Sequence, residues 1–165
     1  MQAVGVIVEY NPFHNGHLHH ITEAKRVSNA DVVVAVMSGH FLQRGEPALV
    51  DKCTRAKMAL HAGVDLVIEL PYAFCTGQAK QFAAGSTFLL NAVKCQSFAF
   101  GSEAGTIEPF LNTYRLLNEH QQLYNETIQA YMKQGNSYPM ALHHGFEALK
   151  TLTSEPLIDL NQPNN

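Results

Sequence analysis

At 165 residues, 46% hydrophobic and 15% charged, the chain has the make-up of an ordinary globular protein with room for one domain and a real core, neither low-complexity nor collagen-like. A formal net charge of −3 argues against strong stand-alone binding of nucleic-acid phosphates, which reward clustered Lys and Arg. Three cysteines, Cys53, Cys75 and Cys95, about twenty residues apart with no Cys-x-x-Cys pair, indicate core or half-buried thiols and neither a disulfide framework nor a zinc site.

The first apolar run, Val4-Gly5-Val6-Ile7-Val8, is too short for a membrane span and lacks the flanks of a signal peptide, so the expectation is a cytoplasmic protein with no membrane association. Residues 4–10 and 32–37 are β-branched and apolar on both faces, the pattern of parallel strands covered by helices on both sides; 66–70 and 97–100 repeat it. Helical segments over 17–28, 51–62 and 78–93 alternate with these runs, the second opened by Asp51 as N-cap and closed by Gly63. The order β-α-β-α-β-α-β predicts an α/β fold: a doubly wound, Rossmann-like parallel sheet with right-handed crossovers. Ligands of such sheets bind at the carboxyl ends of the strands, here loops 9–17, 38–48, 71–78 and 101–106. Helices over about 107–118, 120–134 and 138–150 follow and are expected to cover or extend the sheet. The reading is one domain over 1–150, with 151–165 as loop or linker.

Five of the nine histidines, His14, His17, His19, His20 and His40, fall in the first forty residues. The first strand runs into Asn11-Pro12-Phe13-His14-Asn15-Gly16-His17, and a helix follows at once. Gly16 permits a tight turn and close approach to a ligand, and the N–H groups of a new helix favour an anion. His14 and His17, three residues apart, are placed to donate to charge that develops on a phosphate, which makes them the candidate catalytic pair for nucleotidyl transfer. Capping or core histidines are the ordinary alternative for a bare His-x-x-His; the strand-to-helix context favours function. A metal site is the weaker alternative, since no Asp, Glu or Cys completes a set and helical geometry turns His19 away from His17 and His20; no metal ligands are assigned.

The loop after the second strand, Met37 to Pro47, faces the same crevice. Its Ser38, Gly39, His40, Gln43 and Arg44 form a candidate substrate or phosphate loop, with Arg44 as a fork of donors and a solvated Arg-Glu pair as the plain alternative. Lys52, Arg55 and Lys57 on the next helix read as a solvated face. Gly101, in Phe100-Gly101-Ser102-Glu103 after the fourth strand, would let an adenine ring or ribose lie on the backbone. Glu69 is either a capped structural carboxylate or a ligand.

The strand followed by His-x-Gly-His resembles the HIGH-motif nucleotidyltransferase superfamily. More narrowly, Val8 to His17, Ala35 to Pro47, Val64 to Pro71 and Phe100 to Glu103 are similar to the bacterial tRNA(Met) cytidine acetate ligases, over essentially the whole chain. The resemblance implies an ATP-dependent ligase, with Mg²⁺ carried by the ATP. It would activate acetate as acetyl-adenylate and acetylate N4 of the wobble cytidine of elongator tRNA(Met). It also implies an ATP site made of Ile7, Val8, Glu9, Tyr10, Asn11, Pro12, Phe13, His14, Asn15, Gly16, His17, Leu18, His19 and His20, with Gly101 near the nucleoside and Asn164 at its edge. Members of the family continue well past the Pro163-Asn164-Asn165 run, so tRNA contact is expected mainly from a carboxy-terminal region beyond it. The superfamily leaves two other functions open: an adenylyltransferase for a phosphorylated cofactor precursor, and a non-catalytic ATP- or tRNA-binding module.

Overall fold

The computed structural model describes residues 1–159. Among these, the elements run β1 (Ala3–Val8), α1 (Asn15–Ser28), β2 (Val32–Ser38), α2 (Lys52–His61), β3 (Leu66–Leu70), α3 (Tyr72–Cys75), α4 (Ala79–Ala92), β4 (Ser97–Ala99), α5 (Glu108–Glu119), α6 (Gln121–Lys133) and α7 (Tyr138–Lys150). By its internal contacts the chain forms two compact units, one over Met1–Phe100 and the other from Gly101 onward, where the sequence reading carries a single domain to residue 150. The division falls where sheet-forming sequence ends: β4 is the last strand among the described residues, and only helices follow it.

In the first unit all strand pairings are parallel, in the order β3-β2-β1-β4. The chain reverses its direction of progress between β1 and β4, which creates the crevice where doubly wound sheets bind ligands. Valine-rich β2 is buried on both faces and its side chains alternate between two cores. Val33, Ala35 and Met37 pack with Val4, Val6 and Val8 of β1 against Ile21 and Ala24 of α1 and Ala59 of α2. Val34 and Val36 pack on the opposite face with Leu70, Cys75 and Leu90, together with Phe82 and Leu89 of α4. Helices therefore cover both faces, as the alternating pattern predicts. Each fully buried Val or Leu contributes about 1.5–3 kcal/mol of transfer free energy.

At Gly5 the side chain of Leu90 from α4 packs directly on the backbone of β1, for a Cβ added there would lie 2.5 Å from Leu90 Cδ1. Leu90 is buried and has little room to yield. Gly5→Ala is expected to destabilise the first unit by about 1–3 kcal/mol through overpacking, read as a lowered thermal midpoint; a midpoint equal to the parent's would show that Leu90 repacks freely.

Asp51 caps α2 by accepting from the Thr54 N–H at 3.0 Å, and Gly63 follows the helix with φ of 106°. The short α3 is absent from the sequence reading, which leaves 71–78 as loop; it is one turn, started at Pro71 and too short to show a period. Cys75 is buried, Cys95 half-buried and Cys53 exposed.

In the second unit α5 and α6 meet at His120, and α7 follows α6 after a short turn. Tyr131 and His144 stack at 4.1 Å, while Ile128, Ala141, Phe146 and Leu149 fill the interior. The segment after α7 returns to α5, where Thr113 Oγ1 accepts from the Ile158 N–H at 3.1 Å. No helix among the described residues is long and apolar enough to cross a membrane.

Candidate nucleotide site

The carboxyl end of β1 opens into a cavity of about 540 Å³, lined by Ile7, Val8, Glu9, Tyr10, Asn11, Pro12, His14, His17, His20, Leu42, Arg44 and Glu46. Ligand cavities of roughly 300–1,000 Å³ take small molecules. The wall is built by a sharp change of direction after β1. Tyr10 sits in left-handed backbone, φ 51°, a conformation that costs a bulky residue about 1–3 kcal/mol. Packing holds it there: Tyr10 is 1% exposed and its ring meets Phe13 edge-on at 4.8 Å and His17 at 4.9 Å. Its hydroxyl and Nε2 of His20 are buried without a hydrogen-bond partner among the described residues, and both side chains line the cavity. Burial raises the Tyr10 pKa, so the phenol stays protonated.

The helix α1 begins two residues before the sequence reading places it, because a histidine serves as its cap. His14 has extended backbone at the N-cap, and its Nδ1 accepts from the Gly16 N–H at 3.1 Å. In return His17 Nδ1 accepts from the His14 N–H at 3.3 Å. This is a capping box made from two imidazoles in place of Ser and Glu. The cap and the catalytic expectation are thus compatible, since they use different atoms. A neutral imidazole whose Nδ1 accepts must carry its proton on Nε2. Both rings are therefore set as Nε2–H donors, stacked with centroids 3.7 Å apart beside the helix N-terminus. Gly16 earns its place differently from the expectation: a Cβ there would lie 3.0 Å from His14 Cε1, so the space is taken by the capping ring.

Burial, then the neighbouring His14 and His20, hold the His17 pKa below the ordinary 6.5. Burial likewise lowers His20, opposed by a hydrogen bond with the Ala99 backbone and assisted by His19. A group whose folded pKa is depressed takes up more protons when unfolded, so its stabilising contribution is present above about 6.5 and is lost as pH falls through the folded value. The thermal midpoint of the chain is expected to fall steadily as pH drops below about 6.5, and His17→Asn should flatten the slope. A parent profile that is level across this range would contradict the depressed values.

The loop after β2 contributes less than its sequence promises. Arg44 lines the cavity, with Leu42 and Glu46, which sequence reasoning did not single out. Ser38 is buried, its hydroxyl directed at Glu9 Oε1 at 3.5 Å. Gln43 is engaged in holding the loop, its N–H donating to Glu9 Oε1 at 2.7 Å and its Nε2 to the Gly77 carbonyl at 3.2 Å. Gly39 and His40 line a separate apolar cavity of about 150 Å³ with Phe41, Glu69, Leu70, Tyr72 and Cys75. Phe13, Asn15, Gly16, Leu18 and His19 lie in the motif and off the cavity wall. Gly101 opens the second unit, and Asn164 lies outside the described residues. Among the described residues, no three His, Cys, Asp or Glu side chains come together as a metal-binding group.

Glu69 of β3, left open between a structural carboxylate and a ligand, is ion-paired with Lys52, Nζ to Oε2 2.6 Å. One reading of α2 is corrected. Arg55, read as part of a solvated face, is 0% exposed. Its guanidinium donates to the carbonyls of Glu9 at 2.6 Å, Ser38 at 3.1 Å and Val50 at 2.9 Å, and to that of Gly39. Burial opposes its charge, and of the neighbouring acidic groups Glu9 does most to offset the penalty.

A family model described as HIGH Nucleotidyl Transferase matches residues 1–165, the whole chain. The chain belongs to the HIGH nucleotidyl transferase family. His14-Asn15-Gly16-His17 lies within the matched span, at the β1–α1 turn. Among curated relatives, a tRNA(Met) cytidine acetate ligase of Lysinibacillus sphaericus is 58% identical over all 165 residues, which are 41% of its own length. A protein of the same name from Bacillus subtilis is 53% identical over the same span, 39% of its length. This HIGH family member therefore spans about two-fifths of the curated relatives it matches. Among solved structures, Thermotoga maritima TmcAL bound with alpha-thio ATP superposes with a TM-score of 0.84 at 43% identity, covering 92% of this chain and 37% of that one.

Proposed function

We propose that this chain is the ATP-binding part of a cytoplasmic tRNA(Met) cytidine acetate ligase, which activates acetate as acetyl-adenylate and transfers the acetyl group to N4 of the wobble cytidine of elongator tRNA(Met). The observation that carries the reading is the imidazole capping box, which leaves two Nε2–H donors and a helix N-terminus at one wall of a cavity large enough for a nucleotide. Adenylation of a carboxylate asks for this: donors to the α-phosphate and to the departing pyrophosphate, whose negative charge grows in the transition state. The ATP, with Mg²⁺, would lie along Ile7 to His20, its phosphates toward His14, His17 and Arg44, while Gly101 and Asn164 remain candidates for the nucleoside edge. The names of the relatives and the ATP analogue bound to the Thermotoga protein support this reading. With a net charge of −3, the chain is poorly suited to hold tRNA by itself, and the tRNA contacts are assigned mainly to residues outside it.

The test is a chimera in which this chain replaces the matching residues of the Bacillus subtilis relative. Given elongator tRNA(Met), ATP and acetate, it is expected to produce N4-acetylcytidine detectable by mass spectrometry of the digested tRNA, and none when ATP or acetate is withheld. A folded chimera that binds ATP yet leaves the tRNA unmodified, under conditions where the Bacillus subtilis protein modifies it, would refute the assignment.

A further inference from the structure

The segment between β2 and α2, residues 39–51, carries Arg44 to the cavity, and it is tied to the end of β1 at three places. Glu9 Oε1 accepts from the Gln43 N–H at 2.7 Å. Asn11 Oδ1 accepts from the Leu49 N–H at 2.7 Å. Arg55, from the first turns of α2, reaches the carbonyl of Glu9 on one side and those of Ser38, Gly39 and Val50 on the other, so one guanidinium holds the exit of β1 and both ends of the segment. Within the segment the backbone closes on itself, with the Leu42 N–H donating to Glu46 O and the Gly45 N–H to Leu42 O, each at 2.9 Å, and Phe41 bridged to Pro47. Arg44 thus stands at the tip of a closed turn whose feet are fixed. An exposed arginine on a free loop loses side-chain and backbone entropy when it grips an anion; one on a fixed turn loses only its own rotamers.

We propose that Arg55 is a positioning residue that sets Arg44 over the cavity, so that the pair confers affinity for the polyphosphate of a nucleotide and not for its nucleoside. The buried guanidinium is not part of the cavity wall; it acts through the segment it anchors. A planar fork with five donors meets four carbonyls at once, and the single ammonium of lysine cannot. This inference rests on the nucleotide reading of the cavity.

The experiment compares the chain with R55K, R44A and the double variant in two measurements. In the first, backbone amide exchange is followed without ligand: R55K should speed exchange at Gln43, Gly45 and Leu49 while the amides of β1 and β2 keep their protection. In the second, ATP and adenosine are titrated by calorimetry. R55K and R44A should each weaken ATP about tenfold, leave adenosine unchanged, and show no further loss when combined, because Arg55 acts only through Arg44. Additive losses, or equal losses for ATP and adenosine, would overturn the proposal, since a general loosening of the fold predicts both. Unchanged segment exchange in R55K would overturn it as well. Failure of the unsubstituted chain to bind ATP, with the segment amides well protected, would instead sink the nucleotide reading and leave the anchoring to be judged by exchange. Should R55K not fold, Gln43→Pro removes the donor to Glu9 without touching the buried cation, and it should produce the same ATP-selective loss.

Discussion

Replacing His17 by alanine in the chimeric ligase is expected to slow acetylcytidine formation about a hundred- to a thousandfold, the loss of roughly 2.7–4 kcal/mol that follows removal of one preorganised donor to developing charge. Alanine removes two things at once, however, because Nδ1 of His17 also accepts the His14 N–H. Loss of a cap costs about 0.5–2 kcal/mol of stability. Two further substitutions separate the roles. Asparagine puts an oxygen near the position of Nδ1 and nothing at Nε2, so His17→Asn should keep the melting temperature and lose the rate. Glutamine reaches the Nε2 position with an amide N–H and lacks the cap acceptor, so His17→Gln should recover part of the rate and lose stability. Rate and stability that fall together in all three variants would mean that His17 is only a cap. ATP affinity should change much less than turnover, for a donor that matters most in the transition state contributes little to the ground state.

Arg55→Met is expected to destabilise the first unit by about 3–5 kcal/mol, one of the largest single-residue effects available in this chain. Methionine fills much of the same space and cannot donate. Four carbonyls, those of Glu9, Ser38, Gly39 and Val50, would lose their charged donor, those of Ser38 and Gly39 in fully buried hydrogen bonds. Each buried acceptor left unmade costs about 1–3 kcal/mol, reduced where the segment can open to water. For a unit of this size a loss of 3 kcal/mol lowers the thermal midpoint by roughly 12–24 °C. A drop of only a few degrees would show that water replaces the guanidinium easily and that the segment after β2 is held mainly by Glu9 and Asn11.

Most of the first unit is legible in the sequence because its two central strands, β1 and β2, are short valine-rich runs apolar on both faces, the pattern of a sheet covered on both sides. Asp51 marks the start of α2 for an equally local reason, an Asx side chain reaching a nearby N–H. The beginning of α1 is hidden because histidine is an unusual cap, and α3 because one turn has no periodicity. Arg55 is misread for a deeper reason. With Lys52 and Lys57 on the same helix it looks like part of a charged surface, yet its partner Glu9 lies 46 residues away and Ser38 lies 17 away. The ties that fix Arg44 are of the same long-range kind, Gln43 to Glu9 across 34 residues and Leu49 to Asn11 across 38. Spacing along a helix says nothing about carbonyls delivered by other strands. The one signal available was that Arg55 falls on the same turn-spaced stripe as Ala59, which is buried.

The strand order has a consequence for how the protein is made. β1 lies inside the sheet between β2 and β4, with Val4 opposite both Val33 and Ser97. During synthesis its first neighbour emerges early, but Ser97, the partner of Val4 on the second, is encoded 93 residues after it (97 − 4). At roughly 5–20 residues per second, the open flank of the strand that bears the histidine turn is without its final neighbour for several seconds or more. Until then a row of apolar valines with unpaired amides is available to any other extended segment nearby. The distance in sequence between Val4 and Ser97 therefore sets a minimum waiting time before the crevice beside β1 can exist, and it makes the interval before β4 arrives the one in which a chaperone would have most to protect.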